Sequence, residues 1–205
     1  MGKLRIIAIV VATAILSSLV TSAFWMLAYK NGPIGRAPVA APAAVPEPRQ
    51  QDLVLGPTGL AIPVAGIEKK QLTDTYTQSR SGGARVHNAI DIMADHGTPV
   101  VAAAPGVVEK LYFSQGGGGI TAYVRSPDKQ WVFYYAHLQA YAPGLKEGQV
   151  VKQGDAIGTV GSTGNANPAG PHLHFAILKM ADGEDWHEGT PVNPYPLLAG
   201  NGGRR

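Results

Sequence analysis

The chain contains no cysteine. That excludes a disulfide framework and any thiolate metal site, so a metal would have to be held by His, Asp or Glu. There is no HExxH segment either, which removes the helix-borne zinc arrangement in which a glutamate serves as base. A basic stripe with interleaved aromatics is also missing, and nucleic-acid binding loses its main support. Charged residues make up only 15% of the 205 residues, and the net charge of +3 is misleading as a total. The first fifty residues hold Lys3, Arg5, Lys30, Arg36 and Arg49 against Glu47, and Arg204 and Arg205 close the chain. The stretch between carries ten basic and thirteen acidic residues. Basicity therefore belongs to the ends of the chain.

What is present first is a long uncharged apolar run, Ile6 to Ala28. It approaches the ~20 residues needed to cross a bilayer. Lys3 and Arg5 precede it, and Trp25 and Tyr29 lie where interfacial aromatics lie. Residues 1–31 read as a membrane anchor that leaves the remainder outside the cytoplasm, in the periplasm of a cell with an inner membrane. A signal peptide cut near Thr21-Ser22-Ala23 is the alternative and also exports the rest, as a secreted protein. Residues 32–55 form a Pro/Ala-rich linker. Its segment Gly32 to Gln51, "GPIGRAPVAAPAAVPEPRQQ", favours extended polyproline II and serves as a semi-rigid spacer of roughly 60 Å.

Residues 56–198 have a different texture, with a short tail at 199–205. Runs such as "ITAYVR", "WVFYYAHL", "AIGTV" and "HLHFAIL" are rich in β-branched and aromatic residues and are separated by Gly, Pro, Asn and Asp. Helical periodicity is scarce, so the expected domain is mostly antiparallel β. Gln115 to Gly119, "QGGGG", reads as a mobile hairpin loop, with simple turn chemistry the favoured role for its glycines.

Chemistry concentrates on histidine. In "GPHLHFAI", His172 and His174 sit two apart. On a strand they share one face, about 7 Å apart, and the natural use of such a pair is one imidazole on a metal and the other beside the open coordination position. In "RVHNAIDIM", His87 precedes Asp91 by four residues. A purely extended chain would hold those two apart, so a turn or bulge is needed for them to meet. Asp91 lies between Ile90 and Ile92, a setting in which a bare carboxylate is costly and a cation relieves the cost. His137 sits inside "FYYAHL", where a single histidine would ordinarily be a core residue. His96 and His187 read as loop and turn residues, and Ser162, in a Gly-rich turn, is not a nucleophile.

The order "HNAID", "GTPVVAAAPGVV", "YYAHL", "EGQVVKQGDAIGTVGSTG", "GPHLHFAI" closely resembles the M23 metallopeptidases, the lysostaphin- and LytM-like peptidoglycan endopeptidases. The resemblance runs from about Leu60 to Pro196. It implies a small antiparallel β-sheet or sandwich domain with an open groove, here preceded by one transmembrane helix. It further implies a zinc ion held by His87, Asp91 and His174, with His137 and His172 as the catalytic pair, and peptidoglycan as partner. Ala89 departs from the glycine often found two residues after the first histidine of the family.

Three protein ligands leave a fourth zinc position open, as catalytic rather than structural sites do. The implied activity is hydrolysis of peptide bonds in peptidoglycan crosslinks or stems, with His172 and His137 sharing proton transfer and charge stabilisation. Two alternatives stand beside it. One is a catalytically silent regulator of cell-wall amidases, whose mark would be lost ligands. The other is a peptidase acting on secreted protein. If the spacer provides reach to an insoluble substrate, deleting Gly32–Gln51 lowers wall cleavage in cells and leaves cleavage of soluble fragments unchanged. An equal loss in both assays would remove the tether from this account.

Overall fold

The computed structural model describes residues 53–200. The expected anchor and the body of the linker lie outside the described residues. Among the described residues no helix is long and apolar enough to cross a membrane. Val54 accepts a backbone hydrogen bond from Ile62, and Leu55 bridges to Ala61, so the chain joins the fold at the end of the linker segment.

A two-stranded hairpin, β1 (Ser79–Arg80) and β2 (Arg85–Val86), precedes nine strands. These are β3 (Ile90–Met93), β4 (Pro99–Val101), β5 (Gly106–Ser114), β6 (Gly119–Arg125), β7 (Trp131–Tyr141), β8 (Val150–Val151), β9 (Ala156–Val160), β10 (His172–Lys179) and β11 (Thr190–Val192). A short helix, α1 (Pro194–Ala199), follows, with Asn193 capping its first turn through the Tyr195 N–H. The nine strands form one continuous sheet, β11-β10-β7-β6-β5-β8, with β3 added to β10 and β9 linking β7 to β4. Every pairing is antiparallel. The mostly β, antiparallel expectation holds, with the nine strands hydrogen-bonded into one branched sheet.

Strand β10 shows how patterning positions the site. Leu173, Phe175 and Ile177 are fully buried in the core, and strand alternation sends His172 and His174 to the opposite face. The core face of β7 contributes Phe133, Tyr135 and Leu138. Tyr135 and Phe175 pack with ring centroids 5.3 Å apart. Burying side chains of this size contributes about 1.5–3 kcal/mol each. The alternation of β10 is therefore fixed by its core residues, and the imidazoles follow.

The segment Gln115–Gly119 is the hairpin connection between β5 and β6, and hydrogen bonds tie it to neighbouring chain. Asn165 N–H donates to the Gly117 carbonyl at 2.9 Å, and His137 N–H donates to the Gly118 carbonyl at 2.7 Å. A Cβ on Gly119, at φ +67°, would lie 2.2 Å from Thr163 Oγ1. The glycines permit two turns to interlock at one edge of the groove.

The Tyr135 Oη accepts the Ala103 N–H at 2.9 Å in the interior. Tyr135→Phe strands that N–H and should cost about 1–3 kcal/mol. In urea unfolding the midpoint falls while the slope is unchanged. A midpoint within error of wild type would show that the bond adds nothing.

Candidate metal centre

Register brings the first two donors together. Asp91 on β3 and His174 on β10 are direct cross-strand partners, and Asp91 Oδ1 lies 3.2 Å from His174 Nδ1. The third arrives through a bend. The chain leaves β2 at Val86, passes through Asn88 at φ +59°, and enters β3 at Ile90. This places His87 Nε2 at 3.0 Å from Asp91 Oδ1 and 2.9 Å from His174 Nδ1. The turn required between His87 and Asp91 is therefore present.

The donor chemistry can be read from the outer partners. The Thr75 carbonyl only accepts, and it lies 2.9 Å from His87 Nδ1, so Nδ1 carries the proton and Nε2 presents a lone pair. Thr75 Oγ1 also accepts the Asp91 N–H at 3.0 Å, so one residue holds both ends of the bend. Ligands around a tetrahedral ion bound at 2.0–2.1 Å stand about 3.3 Å apart. The spacings of 2.9, 3.0 and 3.2 Å are close to that value, and the set of two imidazole nitrogens and a carboxylate oxygen suits one divalent ion.

Asp91 is divided between two tasks. Its Oδ1 faces the imidazoles, and its Oδ2 accepts from Arg80 Nη2 at 2.5 Å. Burial opposes its ionisation, but the hydrogen bonds and charges of His174 and His87 outweigh that and hold its pKa far below the ordinary carboxylate value. His174 is shifted down, chiefly by burial, against the opposing pull of Asp91.

His137 reaches the same space by a bulge. Between Tyr135 and Leu138, β7 has one more residue than β6 has between Ile120 and Ala122. His137 takes φ +60° there, a costly conformation for a side chain larger than glycine. Simple alternation would put His137 on the core face with Tyr135; the bulge turns it into the groove. Its Nδ1 bonds to the Thr163 carbonyl at 2.8 Å, and His172 Nδ1 bonds to the Gly170 carbonyl at 2.8 Å. Each ring is thereby oriented with Nε2 as the lone-pair nitrogen. The two rings lie 5.0 Å apart, and His137 is 5.6 Å from His174. Burial pushes the His137 pKa down to about 4 against the Thr163 bond, so it is neutral at neutral pH.

These residues line a groove of about 510 Å³. All five side chains singled out in the sequence meet in it, and His96 and His187 are not among its lining residues. Arg80, Arg85 and Tyr134 also line it and were not anticipated. The arginines precede the His87 segment, and nothing in their spacing marks them. Thr75 and Thr163 hold the His87 and His137 rings through their backbone carbonyls, which carry no residue-type signal.

The sequence profile of Peptidase family M23 matches residues 85–194, over half of the chain, and spans all five side chains. The chain belongs to peptidase family M23. Within that family it is 38% identical over 122 residues to the L-Ala--D-Glu endopeptidase of Bacillus subtilis (strain 168), covering 57% of this chain and 36% of that relative. It is 41% identical over 98 residues to the peptidoglycan DD-endopeptidase ShyC of Vibrio cholerae, covering 48% of this chain and 21% of the relative. The matched regions thus amount to about a third or less of the length of these relatives. The catalytic domain of lysostaphin from Staphylococcus simulans superposes with a TM-score of 0.53 at 31% identity, covering 62% of this chain and 90% of that domain. Ala89 is fully buried, directly before β3 and between His87 and Asp91.

Partners of this kind behind a metal ligand typically shift affinity 10- to 100-fold. If Asp91 is a ligand, Arg80→Gln is expected to weaken binding of one divalent ion, such as zinc, by about that factor, measured by competition with a chromophoric chelator. Unchanged affinity would show that the Arg80 contact does not hold the Asp91 carboxylate in place.

Proposed function

We propose that the protein is a zinc-dependent endopeptidase that hydrolyses peptide bonds in bacterial peptidoglycan. The carrying observation is the convergence of His87 Nε2, Asp91 Oδ1 and His174 Nδ1 within 3.2 Å of one another, beside two further imidazoles in the groove. In this reading those three atoms hold the ion. When bound, zinc supplies Lewis acidity, polarising a carbonyl oxygen and acidifying water.

The rest of the chemistry falls to the chain. His137 is hard to protonate, so its Nε2 is suited to accept a hydrogen bond and orient the attacking water. His172 Nε2 accepts the proton of that water and returns it to the departing amine. The Gly170 carbonyl keeps the His172 ring aligned for both transfers. Tyr134, whose ring stands 5.8 Å from that of His174, forms part of the surface against which the peptide lies. The complete set of five side chains argues against the alternative of a silent regulator. The apolar run Ile6–Ala28 and the Pro/Ala segment support placement outside the cytoplasmic membrane, where the wall substrate is found.

Defined muropeptides should be cleaved by the zinc-loaded protein, lose cleavage with a chelator, and regain it with zinc. His172→Ala should lower kcat by about 10²–10⁴ while the protein still binds one zinc ion. Normal turnover by chelated protein, or by His172→Ala, would overturn the proposal.

A further inference from the structure

The wall of the groove formed by β1 and β2 is built against its own electrostatics. Arg80 and Arg85 are direct cross-strand partners, and like charges placed opposite on a ribbon repel. Both line the groove. Asp91 is the only carboxylate in the groove lining, and it is shared between Arg80 and the histidines. Arg80 is further held by Gln78 Oε1 at 3.2 Å. Arg85 is exposed, and among the described residues no carboxylate pairs with it. A divalent ion in the centre adds two more positive charges. The groove then carries an excess of positive charge that no side chain lining it offsets, and a planar guanidinium at its wall suited to bidentate binding of a carboxylate.

We infer that Arg85 is a recognition site for a carboxylate on the substrate. This rests on the peptidase reading and narrows its substrate class. The preferred peptide carries a free carboxylate, from an acidic residue or an open carboxyl terminus, within one or two residues of the scissile amide. Arg85 is two residues from His87, about 7 Å along an extended chain, which sets that range. An uncharged glycine peptide makes no use of the site.

The test uses pairs of wall-derived peptides that differ only in whether that carboxylate is free or amidated. Their kcat/KM values are compared for the zinc-loaded full chain. The free acid should be preferred about ten- to hundred-fold, as charged hydrogen bonds of this kind allow. Arg85→Gln should collapse the ratio towards one, Arg85→Lys should keep part of it, and added salt should shrink it. Binding of the same pair to zinc-loaded His172→Ala protein, measured by calorimetry, reads the preference without turnover. Equal binding of acid and amide overturns the inference, and so does a preference that survives in Arg85→Gln, which would assign it to the ion. Preferential, Arg85-dependent binding without cleavage in the wild type would sustain the site and sink the peptidase reading.

Discussion

The centre depends on one pairing, the antiparallel register of β3 on β10. That register makes Asp91 and His174 face each other, and a slip of one residue would send one of them to the core face. The register is held from the other side of the sheet. Ile90 and Ile92 of β3 and Leu173 and Phe175 of β10 are all buried together. Thus the apolar face of two strands decides where a polar cluster forms on the other.

Around that pairing, the backbone departs from regular geometry where a side chain must be re-aimed. Asn88 bends the chain so that His87 meets Asp91, and His137 itself sits in the left-handed region within a bulge. Such residues cost of order 1–3 kcal/mol each. They persist because the neighbouring structure over-determines them. His137 alone is held by the Gly118 carbonyl at its amide and the Thr163 carbonyl at its ring. The electrostatics follow the same plan. Three imidazoles have their Nδ1 fixed on backbone carbonyls, from Thr75, Thr163 and Gly170. Their Nε2 atoms are thereby left as bases directed at one volume. Arg80 takes the outer oxygen of Asp91 and leaves the inner one to the histidines.

Much of this was legible beforehand. The alternation of His172 and His174 with Leu173 and Phe175 placed both imidazoles on one face without any structure. The spacing of His87 and Asp91 announced a bend because extended geometry cannot bring them together. The identity of the five side chains came from the order of motifs, since His137 by itself resembles a core residue. What could not be read was set by backbone geometry. The bulge at His137 has no residue-type signature, and neither has the use of the Thr75 and Thr163 carbonyls. The Gly-rich run marks a turn between two strands, but composition does not show the close approach of Gly119 to Thr163, which is a packing requirement. Arg80 and Arg85 escaped notice because a two-residue strand pair leaves no periodicity to detect.

The most direct measurement is diffraction from zinc-loaded crystals at the zinc absorption edge. The account predicts a single anomalous peak bonded, at about 2.0–2.2 Å, to His87 Nε2, Asp91 Oδ1 and His174 Nδ1, with His137 and His172 beside it but not ligating. A peak bonded to a different set of side chains, or crystals that take up no zinc at this centre, would contradict it.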